Sequence, residues 1–295
     1  MRSIMPPILS VPQEWKNLWK GADIFDVLLN MDGQVYRKVK GRTTLRFELN
    51  HETYFIKIHL GTTWKDIIKD VLCFKRPLLG AENEWKAISR LKRLGIHTPE
   101  LVGYGKRGRN LSKIKSFVIT RELTGVESLE DVCRDWKISP PAYRFKRTLI
   151  TEVARVTRIL HKNGICHRDL YLCHFLLDMH RDGDNPDPEN INLYLIDLHR
   201  VFFSRKLSVR WRLKDIAALY FSAMDIGLSR QDIFHFIEVY TGMPWQDAIR
   251  RQGLFWRCVE KRAGRLYRKF QRHMDRQRRG TKKQQGNGDV YKDTD

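Results

Sequence analysis

The sequence predicts an α+β protein, with strands concentrated in its first part and a mainly helical remainder. Strand-like alternation is concentrated in the early part of the chain, and helical periodicity dominates the rest apart from two short apolar strands. The length, 295 residues with 42% hydrophobic content, suffices for one large domain or two modest lobes. A 30% charged fraction and eight tryptophans fit a folded chain better than a disordered one.

Leu45 to Leu49 alternates with period two, Asn50-His51-Glu52 supplies a polar turn, and Tyr54 to Ile58 resumes as strand. Together they predict a hairpin with Lys57 on its second strand. Thr63 and Asp66 form a capping box, with Asp in place of the usual Glu, for a helix from Trp64 to Leu72. A clearer helix follows: Trp85, Ile88, Leu91 and Leu94 recur at helical spacing and Gly95 supplies a left-handed cap. Glu84 falls near its start. Ser116 to Thr120 is a β-rich run, after which Ser128 and Asp131 cap another helix.

Phe145, Leu149, Val153, Val156 and Leu160 then stripe one face of a long helix that stops at Asn163-Gly164. Phe175 to Leu177 and Leu193 to Ile196 read as paired strands around the turn-rich segment RDGDNPDPEN, and the second ends at Asp197. Helical pattern returns from Asp215 to Met224 and from Ser229 to Tyr240, the latter opened by a Ser229/Asp232 box. These patterns divide the chain into a first lobe, 1–125, after a short flexible N-terminus, a second lobe, 126–275, and a basic then polar tail, 276–295, expected to be disordered.

Composition narrows the function classes. Five scattered cysteines without a CxxC pair argue against a disulfide framework and against a zinc knuckle, and point to a reducing compartment. The N-terminus lacks a sustained apolar core, and no apolar run reaches the ~18 residues that span a bilayer. A cytosolic, membrane-adjacent protein is the expectation. Lys plus Arg total 55 against 34 acidic residues, a formal net charge of +21, so a polyanionic partner is implied: nucleic acid, an anionic membrane face or a phosphorylated glycolipid.

Phosphoryl transfer from a nucleoside triphosphate needs a group that orients the attacking hydroxyl, a carboxylate for a metal ion and a cation on the donor phosphates. Asp169 lies in the loop CHRDLYLCH after the long helix, and Asp197 opens the loop after the second of the paired strands. Because a hairpin joins them, both carboxylates can face one cleft.

This order of elements resembles the catalytic core of the protein-kinase-like superfamily, whose loop reads HRDLxxxxN where this chain has HRDLYLCH. The resemblance implies a bilobal protein-kinase-like fold. Asp169 matches the catalytic aspartate, His174 stands in place of the asparagine that binds the second metal, and Asp197-Leu198-His199 stands in place of DFG. Lys57 in YFIKI resembles the strand lysine that contacts the phosphates, and Glu84 the helix glutamate that holds it, with Glu82 as runner-up. Asp215 resembles the aspartate that braces the catalytic loop through backbone amides. Gly33 and Gly41 frame GQVYRKVKG, which is no glycine-rich phosphate loop.

The departures point within the superfamily. HRDLYLCHFLL, LIDLHR, LKDIAALYFS and GAENEWKAI together are similar to the lipopolysaccharide core heptose(I) kinase family over about Trp15 to Arg262. That resemblance implies ATP and Mg2+ as cofactors and the 4-hydroxyl of the first heptose of the lipopolysaccharide inner core as acceptor. It also implies a lipid A-core glycolipid, the anionic inner-membrane surface and acylated acyl carrier protein as partners, with the protein peripheral at the cytoplasmic face of the bacterial inner membrane. A Kdo or heptose(II) kinase is the nearest alternative. An inactive kinase-like scaffold or a basic nucleic-acid binder is the alternative of another class. Retention of Lys57, Asp169 and Asp197 argues against the scaffold, and no aromatic-interleaved basic signature supports nucleic acid.

Plainer readings compete at single residues. His167 is expected to pack and hold its loop. Cys166 and Cys173 are expected as small buried hydrophobes rather than zinc ligands, since adjacent side chains rarely converge on one ion. His174 is read evenly as a metal ligand or as the group that orients Asp169. A lone strand lysine can snorkel, Asp215 can serve as a helix N-terminal dipole partner, and the basic run at Arg265, Arg268, Lys269 and Arg272 can be a solvated face.

Overall fold

The computed structural model describes residues 8–39, 41–64, 80–108, 110–179 and 191–286. In chain order the first half forms β1 (Ile8–Ser10), α1 (Gln13–Leu18), α2 (Ile24–Leu29), β2 (Gln34–Val39), β3 (Arg42–Leu49), β4 (Glu52–His59), α3 (Glu82–Arg93), β5 (Leu101–Arg107) and β6 (Lys115–Arg121). The strands make one six-stranded antiparallel sheet in the order β1-β5-β6-β4-β3-β2.

The expected hairpin is β3-β4, and its sharp turn rests on Asn50 and His51, both left-handed with φ of 53° and 62°. A two-residue loop of this hand matches the twist of the strands it joins. Alternation along β4 buries Tyr54, Ile56 and Ile58 against Trp15, Phe25, Leu28, Phe47 and Phe117, a core that α1 and α2 close from outside the sheet. Sequence pattern alone predicts neither of these two short helices; Asp23 caps α2 by accepting from the amides of Phe25 and Asp26. The segment between Gly33 and Gly41 is the edge strand β2, exposed along its whole length. The expected helix from Trp64 to Leu72, with Asp66, lies outside the described residues beyond Trp64.

The second half adds β7 (Val126–Ser128), α4 (Leu129–Val132), α5 (Tyr143–Lys162), β8 (Ile165–Cys166), β9 (Phe175–Asp178), β10 (Leu193–Leu195), β11 (Phe202–Phe203), α6 (Val209–Ser222), α7 (Arg230–Thr241) and α8 (Trp245–Gly286). Three elements end or begin as the sequence predicts: α3 stops at Gly95 with φ of 69°, α5 at Gly164 with φ of 71°, and α7 opens on the reciprocal Ser229/Asp232 box. β9 and β10 pair antiparallel, joined by RDGDNPDPEN, whose residues lie outside the described ones.

Two expectations shift. α6 begins at Val209, so Asp215 sits inside the helix rather than at its N-terminus, and a dipole role is excluded by position. α8 runs on to Gly286, past the residue 276 at which sequence pattern places the start of a disordered tail: Arg, Lys and Gln are good helix formers, and no proline interrupts a helix already nucleated by packing upstream. It bends at Gln252, whose φ of −128° is non-helical.

A large core joins the two halves. Trp85, Ile88 and Leu91 of α3 meet Leu160 of α5, Leu170, Phe175 of β9, Leu195 of β10 and Leu198, so the helix carrying Glu84 is packed directly on the loops that carry Asp169 and Asp197. Gly164 is part of this fit: a Cβ there would stand 1.8 Å from the Ser204 carbonyl oxygen, next to the β8-β11 pairing that leads into the catalytic loop. Gly164→Ala should therefore cost more than the ~1–2 kcal/mol of a left-handed alanine alone. Urea denaturation at neutral pH measures it, and an unchanged midpoint would contradict the close approach.

Candidate active site

Alternation along β4 points Lys57 away from the sheet core, and Glu84, third residue of α3, meets it from the facing helix. Lys57 Nζ lies 2.5 Å from Glu84 Oε1. Glu84 is only 4% exposed, and its second oxygen is buried without a partner among the described residues, so the carboxylate depends on this one cation. Glu82 is occupied elsewhere, 2.5 Å from Lys106 and 2.6 Å from Lys86, which decides between the two glutamates.

Lys57 also faces the second half of the chain, 3.9 Å from Asp197 Oδ1. Asp197 follows β10 in the left-handed conformation, φ 58° and ψ 53°, an uncommon geometry for a residue with a side chain that turns its carboxylate into the cleft. Partial burial works to raise its pKa, but the hydrogen bond from His199 and the nearby charges of Lys57 and His174 overcome burial and hold the carboxyl far below the usual range.

Asp169 comes to the same cleft from the loop after β8. Both its carboxylate oxygens accept from Arg200 Nη1, at 2.7 and 2.9 Å. His174 Nδ1 donates to the Asp169 backbone carbonyl at 2.6 Å, while its Nε2 stands 3.6 Å from Asp197 Oδ2. One imidazole thus contacts the Asp169 backbone through one nitrogen and stands near Asp197 with the other.

That donor set fits a cation only in part. Among the described residues no three His, Cys, Asp or Glu side chains converge to hold a metal. Mg2+ commonly binds through one or two carboxylates and fills its shell with water and substrate phosphates, which is what one ionised, partly exposed Asp197 offers; imidazole is a secondary ligand for so hard an ion.

The loop itself is held from beneath. Asp215 is fully buried, and its oxygens accept from the backbone amides of His167 at 2.8 Å and Arg168 at 2.9 Å. Arg168 carries the strained φ of 74° at this turn. His161 Nε2 approaches Asp215 Oδ2 at 3.4 Å and its Nδ1 pairs with the Tyr240 hydroxyl at 2.9 Å. His167 is buried, and its Nε2 donates to the Ile196 carbonyl at 3.1 Å, tying the catalytic loop to the residue before Asp197. Burial favours neutral Asp215, yet the His161 contact and the donated amides hold its pKa below the ordinary value. Cys166 is buried and Cys173 half-buried, with burial raising both thiols, as small interior hydrophobes require.

Three site residues escape sequence pattern. His199 and Arg200 stand in LIDLHR, yet only the turn Leu198–Arg200 shows that they reach back to Asp197 and Asp169. His59, at the end of β4, is buried beside Arg42, His199 and Lys57; burial foremost, with those neighbours, pushes its pKa down to about 3.

A β-sheet lobe presenting a Lys–Glu pair to two loop aspartates on a helical lobe is the arrangement of a kinase-like phosphotransferase. The model of the lipopolysaccharide kinase (Kdo/WaaP) family matches residues 26–240, most of the chain. This chain belongs to that family, and membership in a kinase family carries the use of ATP with it. It is 43% identical over 255 residues to the lipopolysaccharide core heptose(I) kinase WaaP of Escherichia coli strain K12, covering 86% of this chain and 95% of that one. It is 41% identical over 268 residues to the lipopolysaccharide core heptose(I) kinase WaaP of Pseudomonas aeruginosa, covering 90% and 98%. A solved structure, WaaP in complex with acyl carrier protein, superposes with a TM-score of 0.76 at 39% identity, over 88% of this chain and 99% of that chain.

Asp215 gives a pH-dependent outcome. A carboxyl whose folded pKa is depressed contributes stability above its unfolded pKa, and loses it as pH falls through the folded value. Asp215→Asn should cost about 3 kcal/mol near neutral pH. The gap to the unsubstituted chain should narrow below ~pH 4. Chemical denaturation across that range measures it, and a pH-independent gap would mean that the charge of Asp215 is not what holds the loop.

Proposed function

We propose that this chain transfers the γ-phosphoryl group of ATP to the 4-hydroxyl of the first heptose of the lipopolysaccharide inner core. The observation that carries the reading is the meeting of Asp169, Asp197 and the Lys57–Glu84 pair in one cleft. The 41–43% identity to heptose(I) kinases over most of both chains supports the acceptor.

Lys57, kept extended by Glu84, steadies the donor α- and β-phosphates. Asp197, with His174 Nε2 near it, would hold Mg2+, which would supply charge neutralisation on the transferring group. Asp169 orients the sugar hydroxyl and takes its proton late in a loose transition state. Arg200, donating to both oxygens, fixes the carboxylate rotamer, and the remaining lone pairs serve the hydroxyl. In this reading the lobe that covers the nucleotide ends near Gly125, and the second lobe, through residue 275, carries both loops.

The acceptor, a lipid A-core glycolipid, is strongly anionic, and so is the inner-membrane leaflet that displays it. A net charge of +21 favours peripheral residence at the cytoplasmic face of that membrane, and no helix among the described residues is long and apolar enough to cross it. We extend to this chain the association with acyl carrier protein named for its solved relative. The second lobe supports an acylated partner: Leu129, Trp136, Leu149, Val153, Leu219 and Ile237 line an apolar cavity of about 550 Å³ that a flexible hydrocarbon chain can fill.

Purified protein, Mg-ATP and heptose-bearing lipopolysaccharide lacking phosphate should give one new phosphate on the first heptose by mass spectrometry. Asp169→Ala should lower that transfer by ~10²–10⁴-fold with an unchanged melting curve. Full turnover by Asp169→Ala, or phosphate appearing on protein rather than glycolipid, contradicts the assignment.

A further inference from the structure

The second lobe holds another concavity, of about 300 Å³, whose lining includes none of Lys57, Glu84, Asp169 and Asp197. Five cations line it: Arg158 and Lys162 from α5, Arg205 and Lys206 from the segment after β11, and Arg212 from α6. His161, Tyr240 and Thr241 form much of the remaining wall, and no acidic side chain lines the pocket. None of the five cations makes an ion pair with a carboxylate among the described residues.

A basic face on a convex surface is ordinary and well solvated. Cations gathered in a concavity repel one another at close range, in walls of lower dielectric than water, and such an arrangement focuses a positive potential on whatever enters. The half-buried members are also fixed. Arg158 Nη1 donates to the Val239 carbonyl at 3.0 Å, and Gly242 leaves room for its guanidinium where a Cβ would stand 2.1 Å from Nη2. Arg212 keeps its Nε buried with no acceptor among the described residues. Arg158 is anchored by that hydrogen bond and Arg212 lies over the Phe255 ring, its Cζ 5.9 Å from the centroid, while Lys162, Arg205 and Lys206 stand exposed at the rim. Rigid planar donors in the pocket and mobile ammonium and guanidinium groups around it suit a compact group carrying several phosphate charges.

We infer that this pocket binds a phosphate-bearing polyanion, separate from the nucleotide cleft. Its ligand is either a soluble di- or polyphosphate or the phosphate headgroup of an anionic lipid, which share the chemistry that five cations without carboxylate partners recognise. The pocket also connects to the catalytic loop: His161 in its wall is the residue that reaches Asp215, and Asp215 holds the His167 and Arg168 amides. A bound anion would draw on the guanidinium of Arg212 beside Tyr240 and stiffen that chain of contacts.

Calorimetric titration of the full-length chain with inorganic pyrophosphate, with the cleft saturated by a non-hydrolysable ATP analogue, reads the soluble arm. Co-sedimentation with phosphatidylglycerol vesicles against phosphatidylcholine vesicles reads the lipid arm. Arg205→Glu combined with Lys206→Glu changes only exposed side chains, and its melting curve checks the fold. The double reversal should weaken the binding observed by at least about tenfold. Loss of pyrophosphate binding in the variant assigns a soluble polyphosphate, and loss confined to vesicle binding assigns a lipid phosphate. Absence of binding by either probe, or equal binding by the two proteins, overturns the pocket.

Discussion

The site rests on one buried charge. Asp215 is fully enclosed, and an isolated carboxylate in that position would be prohibitively costly; it is tolerated because two backbone amides and His161 satisfy it. The amides belong to a turn with some backbone strain, since Arg168 is left-handed without being glycine. Carboxylate and strained turn each compensate for the other. The next residue inherits the result: Asp169 emerges immediately past the turn, already aimed at the cleft.

From there the geometry propagates through short links. His167 donates to Ile196, His174 donates to Asp169, and the Ile196 amide donates to the His174 carbonyl at 3.0 Å, so the loops bearing the two aspartates are stitched together before any ligand arrives. The remaining link crosses to the sheet through Lys57, which Glu84 shares with Asp197. Pre-formed positioning of this kind is the main lever that phosphoryl transfer leaves to a protein.

Most of this framework is legible in the sequence because it is written in local signals. The Asn50-His51 turn, the glycine stops at Gly95 and Gly164, the Ser229/Asp232 box and the apolar stripe of α5 each declare themselves within a few residues. Lys57, Glu84, Asp169, His174 and Asp197 come from motif order, and the fold brings all five to one cleft. The features that escape depend on distance or on context. Arg200 reaches back 31 positions to Asp169, a pairing that no periodicity encodes. α1 and α2 are six residues each, too short for a helical stripe to register, and are held by burial of Trp15 and Phe25 rather than by propensity. The start of α6 is hidden because VRWRLK is rich in charge, and its helical character comes from packing rather than from amphipathic pattern.

The exposed edge strand β2 bears on how the protein behaves in a tube as well as in catalysis. Val35, Tyr36 and Val39 face solvent along a strand whose outer side is unpaired among the described residues, the type of edge onto which a second β-strand readily adds. Arg37 and Lys38 interrupt that apolar run, and the +21 charge keeps copies apart over roughly a Debye length, ~8–10 Å at ordinary salt. Colloidal stability therefore depends on ionic strength: the screening that quiets non-specific attraction to polyanions also removes the repulsion guarding this edge.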